Sequence, residues 1–250
     1  MTDAKVYFLG AGPGDPELMT IKGMRLLQRA DTVIHAGSLV NADILELAPG
    51  AELIDSAPLC LDNIVEAMVS RARAGKLVVR LHSGDPSLFG AIKEQMARLR
   101  QEGIGYEVVP GVSSLNAAAA ALDSELTVPG ISQTVIITRA AGRTPVPESE
   151  DIASLAGHGA TMAVFLSAGL AADVQAKLSQ GYPPQTPVAV VQNASRAGQK
   201  ILRTTVAGLA ADIAAAGIDR TAIILVGEAL AQAGDESLLY KKGFSHGYRE

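Results

Sequence analysis

The sequence predicts an α/β protein of two α/β domains, with a mostly parallel sheet in the first domain and a mixed sheet in the second. Strand-like and helix-like segments alternate along the first half of the chain, which is typical of βαβ units. A Thr-Val-Pro-Gly break at residues 127–130 separates this half from further strand-like runs. We therefore predict an N-terminal domain at 1–128 and a C-terminal domain at 129–250, each long enough to bury a core.

The elements of the first half follow from the spacing of apolar residues. Short apolar runs predict buried strands at residues 6–9, 32–34, 77–81 and 106–109. Helical spacing, or an alanine-rich composition in the last case, predicts helices at residues 20–30, 61–74, 88–100 and 114–122. The side chains predicted to face inward from the first two helices are Ile21, Met24, Leu26, Leu27, Ile64, Val65, Met68 and Val69.

The second half contains further strand patterns. Apolar runs predict strands at residues 133–137, 162–166, 188–191 and 221–226. Residues 200–206 alternate apolar and polar side chains, as a half-exposed antiparallel strand does. The uncharged stretch 159–172 is shorter than the roughly 18 apolar residues of a membrane span, so it predicts a buried strand that enters a helix.

Composition narrows the classes of function. The formal net charge of −5, the absence of Trp and an aromatic content of 4% argue against a nucleic-acid partner. The single cysteine, Cys60, excludes an internal disulfide and fits a reducing cytoplasm. No basic segment followed by an apolar one precedes the first strand, so we expect no signal peptide. Because His35, His158 and His246 lack metal-like spacing with one another or with Cys60, we expect no metal site.

A loop of small residues at 10–15 follows the first strand and precedes a helix, which is typical of backbone contact with a polar ligand. It is not a dinucleotide fingerprint, because Asp15 stands where the third glycine belongs and Pro13 lacks an N–H. It is not a Walker loop either, since no Gly-Lys-Ser/Thr follows. A tight turn without a ligand remains an equal alternative for this loop taken alone.

Two further loops change that balance. Residues 82–87 (His-Ser-Gly-Asp-Pro-Ser) and residues 110–114 (Pro-Gly-Val-Ser-Ser) also follow predicted strands and precede predicted helices. Loops at the carboxyl ends of neighbouring parallel strands lie at one edge of a sheet. We therefore expect these three loops to converge.

Taken together, residues 6–16, 84–86 and 110–114 resemble the tetrapyrrole methylase family, and residues 187–195 and 226–228 look like further family segments. Residues 80–87 and 132–148 are most similar to the family branch that methylates precorrin-4 at C-11 in cobalamin synthesis. The resemblance implies two α/β domains, an S-adenosylmethionine-dependent methyltransferase, a small-molecule tetrapyrrole substrate and a homodimer. It also implies that the active site lies in the cleft between the domains. Charge and composition predict no nucleic-acid partner, and the length of the apolar stretches predicts no membrane partner.

The resemblance also implies which residues bind the cofactor. Carried over position by position, these are Pro13, Ser83, Gly84, Asp85, Leu88, Ser113, Ser114, Leu166, Ser167, Ala194, Thr221 and Ala222. Most are small, which suits close backbone contact with a ligand. Many family members have Gly where this chain has Ser83, so Ser83 either makes a contact of its own or closes the turn. For Asp85 the alternative is a helix N-cap.

The catalytic and substrate-binding candidates carry charge or titrate near neutral pH. His82 and Asp85 are the candidates for proton transfer, with a structural histidine as an equal alternative for His82. The substrate's carboxylates call for Arg, whose fork binds both oxygens. Arg139, Arg143 and Arg196 are the candidates, against solvated surface charges.

Other functions remain open at this point. They are methylation of another precorrin position, methylation of cobalt-precorrin-4, and methylation of a protein or RNA by a family relative. Outside the family, the alternatives are a nicotinamide oxidoreductase, which Pro13 and Asp15 disfavour, and a ligand-binding module without catalysis.

Overall fold

The computed structural model describes residues 5–231 together with residues 237, 242, 244, 245 and 247. The chain forms two compact units, one of Met1–Ala117 with Ser195–Ala197 and the other of Ala118–Ala194 with Gly198–Glu250. The division therefore falls earlier than the predicted boundary after Val128. The reason is that residues 118–128 are tied to the second unit, where Thr161 Oγ1 donates to the carbonyl of Leu126 at 2.8 Å.

The first unit contains a five-stranded sheet in the order β3-β2-β4-β1-β5, and all of its strand pairs are parallel. This confirms the predicted parallel sheet. The strands are β1 (Lys5–Gly10), β2 (Thr32–His35), β3 (Glu52–Asp55), β4 (Val78–His82) and β5 (Gly105–Val109). β3 is absent from the predicted strands, because its sequence Glu-Leu-Ile-Asp contains no apolar run; only Ile54 of its four residues is partly covered.

Helices cover both faces of this sheet. They are α1 (Ile21–Leu27), α2 (Ala42–Leu45), α3 (Leu61–Arg73), α4 (Ile92–Gln101) and α5 (Ser114–Ala121), the last of which continues into the second unit. One cluster of buried side chains joins α3 and α4 to Phe8 and Ile34, and a second joins α1 to Leu9 and Leu81. Because β4 is buried at every residue, it is the centre of the unit.

Two predictions about these helices are wrong. Ile21 is 65% exposed, since it is the first residue of α1, and the buried residues of α1 are Gly23, Leu26 and Leu27. The helix predicted from residue 88 begins only at Ile92, because Phe89 and Ala91 have positive φ angles of 55° and 48°. The four inward residues predicted for the segment that forms α3 are all buried.

The second unit contains a mixed five-stranded sheet in the order β6-β7-β10-β8-β9, as predicted. Its strands are β6 (Val135–Arg139), β7 (Thr161–Phe165), β8 (Pro187–Gln192), β9 (Lys200–Thr205) and β10 (Ala222–Val226). β6 is parallel to β7, whereas β10 is antiparallel to both β7 and β8, and β9 is antiparallel to β8. The half-exposed strand predicted from its alternating pattern is the edge strand β9.

Helices α6 (Ile152–Ala156), α7 (Ala171–Leu178) and α8 (Leu209–Ala216) pack on the second sheet. They bury one core that includes Met162, Val190 and Ile224 from the strands and Val174 and Leu209 from the helices. The segment 159–172 is a buried strand followed by a helix, as predicted. Among the described residues, no helix has the length and apolar character needed to cross a membrane.

Candidate active site

Three loops of the first unit meet at the carboxyl ends of β1, β4 and β5, which are neighbours in the sheet. Gly12 and Gly84 exchange two backbone hydrogen bonds, from Gly12 N to Gly84 O at 3.2 Å and from Gly84 N to Gly12 O at 2.7 Å. Ala11 N donates to His82 O at 2.7 Å. The predicted convergence of the three loops is therefore confirmed, and backbone groups make the contact between the first two.

The approach of the loops requires glycine. A Cβ on Gly10 would lie 2.6 Å from both the Gly111 Cα and the Gly84 carbonyl oxygen. A Cβ on Gly111 would lie 2.2 Å from the same oxygen. Gly84 also has a φ of 63°, which residues other than glycine rarely adopt. At these glycines the three loops therefore meet through backbone atoms.

Asp85 joins the second loop to the third. Its Oδ2 accepts a hydrogen bond from Gly111 N at 2.9 Å, and its Oδ1 accepts from Ser87 N at 2.8 Å and from the Ser87 hydroxyl. Burial by itself raises the pKa of the Asp85 carboxyl, but these hydrogen bonds outweigh burial, so the pKa lies below its usual value. The carboxylate is ionised at neutral pH and ties two loops together. Its predicted cofactor and catalytic roles stay predictions, and this geometry favours a positioning role.

His82 is the last residue of β4 and is only 6% exposed. Its ring lies 6.2 Å from the ring of Phe8, centroid to centroid. Burial, together with the positive charge of Arg80, lowers the pKa of His82 to about 3, so the imidazole is neutral at physiological pH. Its Nε2 is buried and has no hydrogen-bond partner among the described residues. The proton-transfer role of His82 stays a prediction. A neutral and buried imidazole favours the alternative, a structural role.

Arg80 lies two residues before His82 and is 5% exposed. Its Nη1 donates to the carbonyl of Ile34 and its Nε donates to Gln95 Oε1, both at 3.1 Å. Gln95 Nε2 in turn donates to the carbonyl of Ala91 at 3.0 Å. Burial lowers the pKa of Arg80 to about 10, which leaves it positively charged at neutral pH. This relay anchors the chain that follows the second loop to the sheet.

The other predicted cofactor residues of the first unit lie in or beside the three loops. Ser83 is exposed and Leu88 is half-buried, whereas Pro13 is buried. Ser113 is 8% exposed, and its hydroxyl accepts a hydrogen bond from Leu115 N at 3.2 Å at the start of α5. Ser83 therefore presents an accessible hydroxyl in this group, while Ser113 stabilises a helix start.

Arg196, which we predicted to bind substrate, belongs to the first unit. Its Nε donates to the carbonyl of Pro13 at 3.2 Å, and its Nη2 donates to the carbonyl of Leu39 at 2.6 Å. Burial lowers its pKa. The neighbouring Ser195 hydroxyl accepts from Asp15 N at 3.1 Å. The guanidinium is therefore engaged with backbone carbonyls of the loop at 10–15, which argues against the predicted carboxylate contact.

The predicted cofactor residues of the second unit lie at one edge of its sheet. β6, β7 and β8 end at this edge and β10 begins there, because β10 is antiparallel to both β7 and β8. The edge therefore gathers Leu166, Ser167, Ala194, Thr221 and Ala222. The Ser167 hydroxyl is fully buried, donating to Phe165 O at 2.6 Å and accepting from Ala140 N at 2.9 Å. Any ligand contact of Ser167 thus falls on its backbone.

Backbone strain is concentrated at this same edge. Leu166, Asn193 and Thr221 have φ angles of 54°, 51° and 53°, in the left-handed region. This conformation costs about 1–2 kcal/mol for a residue with a side chain, and such strain clusters at functional sites. Leu166 is also 67% exposed. Asn193 is absent from our predicted site residues, because a single strained residue leaves no mark on apolar periodicity.

The two arginines predicted after β6 differ in their surroundings. Arg139 donates to three carbonyls of the following loop, those of Ala140 and Thr144 at 3.2 Å and that of Pro145 at 2.7 Å. Arg143 is exposed and makes no hydrogen bond or ion pair to another described residue. Arg139 therefore shapes the loop, and Arg143 presents its fork to solvent.

Other features of the structure lie apart from these residues. A groove of about 550 Å³ lies in the first unit and is lined by Tyr7, Ile21, Lys22, Arg25, Leu26, Arg29 and Glu107. It contains none of the predicted site residues. Within the described part of the chain, no group of three His, Cys, Asp or Glu residues is placed to hold a metal ion. His246, named in that prediction, lies outside the described residues.

Comparison with known proteins identifies the class. The model of the family of tetrapyrrole (corrin/porphyrin) methylases matches residues 5–210. A cobalt-precorrin-4 C(11)-methyltransferase of Priestia megaterium is 49% identical, over 98% of each chain. A precorrin-4 C(11)-methyltransferase of Mycobacterium tuberculosis is also 49% identical, over 94% of this chain and 95% of that one. The chain belongs to the tetrapyrrole methylase family.

Solved structures agree with this placement. The X-ray structure of a cobalt precorrin-4 methyltransferase, described as a cobalamin biosynthetic enzyme, is 50% identical with a TM-score of 0.88, covering 91% of this chain and 96% of that one. A uroporphyrin-III C-methyltransferase from Thermus thermophilus, solved with S-adenosylhomocysteine, is 30% identical with a TM-score of 0.77. It covers 90% of this chain and 98% of its own. The two-unit fold is therefore that of the family.

Proposed function

We propose that this protein transfers a methyl group from S-adenosylmethionine to C-11 of precorrin-4, or of its cobalt complex, in cobalamin biosynthesis. The observation that carries the proposal is the 49% identity, over 98% of each chain, to a relative named for this reaction. The relatives named for cobalt-precorrin-4 are 49% and 51% identical and those named for precorrin-4 are 40% to 49% identical, a difference too small to choose between the two substrates. A uroporphyrinogen-III C-methyltransferase of Pseudomonas aeruginosa is 37% identical, which makes another macrocycle position the weaker candidate.

The residues of the first unit fit the proposed cofactor. Gly10, Gly84 and Gly111 pack so closely that a Cβ at the first or third position would overlap backbone atoms. Several of the peptide groups here bond to one another or to Asp85, so what the strand ends offer the cofactor is close approach to a backbone without side chains. Ser83 adds an accessible hydroxyl. We assign cofactor binding in this unit to Pro13, Ser83, Gly84, Asp85, Leu88, Ser113 and Ser114.

The second unit supports the proposal through its own strand edge. The strained residues Leu166 and Thr221 are both among those predicted for the cofactor. A fold that holds two such residues in the left-handed region stores free energy at one place, as ligand sites do. We assign cofactor binding in this unit to Leu166, Ser167, Ala194, Thr221 and Ala222.

The chemistry asks little covalent participation from the protein. S-adenosylmethionine supplies a methyl group that a sulfonium already activates, so an enzyme-bound intermediate is unnecessary. The protein's residues then contribute mainly by orientation, which can supply several kcal/mol of rate acceleration. Asp85 joins the loops at residues 82–87 and 110–114. Arg80 and Gln95 anchor the chain that follows the first of these two loops. Since His82 is neutral and buried, we assign it to the support of β4 and the second loop.

The substrate carries several carboxylates, and an acidic chain must meet them with local cations. Among the three predicted arginines, Arg143 has a fork that no described residue occupies. We assign carboxylate recognition to Arg143, with Arg139 holding the loop that presents it. The cytoplasmic location, predicted from the single cysteine, and the homodimer, predicted from the resemblance, both stay predictions.

The proposed function is tested by offering precorrin-4 and cobalt-precorrin-4 to the purified protein with methyl-labelled S-adenosylmethionine. Mass spectrometry of the tetrapyrrole fraction should show one added labelled methyl on at least one of the two substrates. Uroporphyrinogen III is the control substrate, and it should remain unmethylated. Label on uroporphyrinogen III and on neither form of precorrin-4 would assign the chain to the other reaction.

A further inference from the structure

We propose that Arg196 is a positioning residue for the glycine-rich loop at residues 10–15, and that it acts on cofactor binding rather than on the substrate's carboxylates. The inference rests on the proposed use of this loop for S-adenosylmethionine. It gives a specific task to a residue that follows β8 along the chain yet belongs to the first compact unit.

The guanidinium joins two segments of the first unit. Its Nε donates to Pro13 O at 3.2 Å, inside the glycine-rich loop, and its Nη2 donates to Leu39 O at 2.6 Å, after β2. Both acceptors are backbone carbonyls, so the arginine fixes the path of the chain. Hydrogen bonds with an ionised donor are stronger than those between neutral groups.

The side chain also occupies the space above Gly14. A Cβ on Gly14 would lie 2.3 Å from Arg196 Cγ and 2.5 Å from its Nε. Gly14 has a φ of 150°, which disfavours any other residue at this position. The methylene stem of Arg196 therefore packs directly on the loop backbone, and a shorter side chain would leave this contact empty.

Two further side chains, those of Asn41 and Ser195, form hydrogen bonds to the same part of the loop. Asn41 Nδ2 donates to Gly14 O at 2.9 Å, and Asp15 N donates to the Ser195 hydroxyl at 3.1 Å. Residues 13, 14 and 15 thus each have a hydrogen bond to a side chain outside the loop. These contacts hold the second half of the loop, whereas Ala11 and Gly12 are held by backbone bonds to the second loop.

A carboxylate-binding role fits these contacts poorly. Bidentate recognition uses two parallel N–H groups of the guanidinium, and the side-on pair, Nε and Nη2, already donates to carbonyls, which leaves only the end-on edge at Nη1. Arg196 is also half-buried, and burial lowers its pKa. Arg143, which is exposed and has no partner among the described residues, provides the contrast.

The test compares Arg196→Lys and Arg196→Ala with the matched surface control Arg73→Ala, which removes an exposed ion pair to Glu102. Calorimetry with S-adenosylhomocysteine should show about a tenfold loss of affinity for Arg196→Ala, a smaller loss for Arg196→Lys and no change for the control. The substrate KM at saturating cofactor should be unchanged in both Arg196 variants. Unchanged affinity with a raised substrate KM would overturn the proposal in favour of carboxylate binding.

A second readout does not depend on the cofactor. Hydrogen exchange of the ligand-free protein should be faster at the backbone amides of residues 11, 12, 14 and 15 in Arg196→Lys and in Asn41→Ala than in the wild type and the control. Asn41→Ala also covers the case in which Arg196→Ala fails to fold. If the wild type does not bind S-adenosylhomocysteine but exchange still accelerates, the proposed function fails while the anchoring stands. Exchange that is unchanged in both variants would overturn the anchoring itself.

Discussion

The Asp85 carboxylate accepts a hydrogen bond from the backbone N–H of Gly111 at 2.9 Å, and this contact joins two loops that are 26 positions apart in sequence. It gives Asp85 a structural task at this position. The carboxylate closes a turn through Ser87 and reaches the next loop with its other oxygen. The neighbouring glycines let the backbones meet, and Asp85 holds them there.

Asp85→Asn should therefore destabilise the protein and weaken cofactor binding together. An amide group cannot accept from both Ser87 and Gly111 with the strength of a carboxylate, and one of its two heavy atoms is a donor. We expect a loss of about 1–3 kcal/mol in the free energy of unfolding, measured in urea at neutral pH. Asp62→Asn, at an exposed ion pair, should change little. A variant as stable as the wild type would show that the hydrogen bonds of Asp85 to Ser87 and Gly111 contribute nothing to stability.

His82 should make stability depend on pH. Because its folded pKa of about 3 lies below the usual 6.5, the unfolded chain binds a proton that the folded protein does not as the pH falls below 6.5. From pH 7 to pH 5 this group alone should cost about 2 kcal/mol of stability. His82→Phe should lose less stability than the wild type over that interval. Equal losses in the two proteins would mean that His82 titrates normally.

Gln95→Glu separates the two halves of the Arg80 relay. Glutamate gives Arg80 a charged acceptor but can no longer donate to the carbonyl of Ala91, which Gln95 Nε2 does at 3.0 Å. We expect a folded protein whose affinity for S-adenosylhomocysteine falls about tenfold, because the chain after the second loop loses its anchor. Gln95→Leu should lose both stability and affinity. Wild-type affinity in Gln95→Glu would confine the relay to stability.

Leu166→Gly tests whether strain in the second unit serves binding. Glycine adopts a φ of 54° without steric cost, and little burial is lost because Leu166 is 67% exposed. The free energy of unfolding should stay within about 1 kcal/mol of the wild type, measured by urea unfolding, while the KM for S-adenosylmethionine rises. Leu170→Gly, at a partly exposed leucine beside the start of α7, is the control for a general loosening of the unit. An unchanged KM in Leu166→Gly would remove Leu166 from the site.

Arg143→Ala should raise the substrate KM about tenfold and leave the affinity for S-adenosylhomocysteine unchanged, since a single carboxylate contact at an accessible site is lost. Steady-state kinetics at saturating cofactor measure the first quantity, and calorimetry measures the second. Arg143→Lys should restore part of the loss because the charge remains. Equal increases in both constants would point to a change in the loop rather than to carboxylate recognition.

Much of the fold follows from the sequence, because apolar runs such as residues 77–81 predict buried parallel strands directly. The strand β3 escaped prediction, since its side chains are mostly exposed and leave no apolar run. The predicted start of α4 is too early, because Phe89 and Ala91 have positive φ angles, which apolar spacing does not indicate.

In the candidate site, too, some features follow from the sequence and others do not. The three glycine-containing loops and their convergence follow from strand order and turn residues. The task of Arg196 does not, because its partners Pro13 and Leu39 lie more than 150 positions away in the chain. Arg139 and Arg143 have the same side chain, and only the structure shows that one binds its own loop while the other faces solvent.

The position of the label in the product shows whether the protein methylates C-11. Precorrin-4 and its cobalt complex should each be incubated with the protein and S-adenosylmethionine carrying a ¹³C methyl group, and the products analysed by NMR. If the proposed function is correct, at least one of the two products carries one labelled methyl, attached to C-11. A labelled methyl on any other carbon, or no labelled product from either substrate, would contradict it.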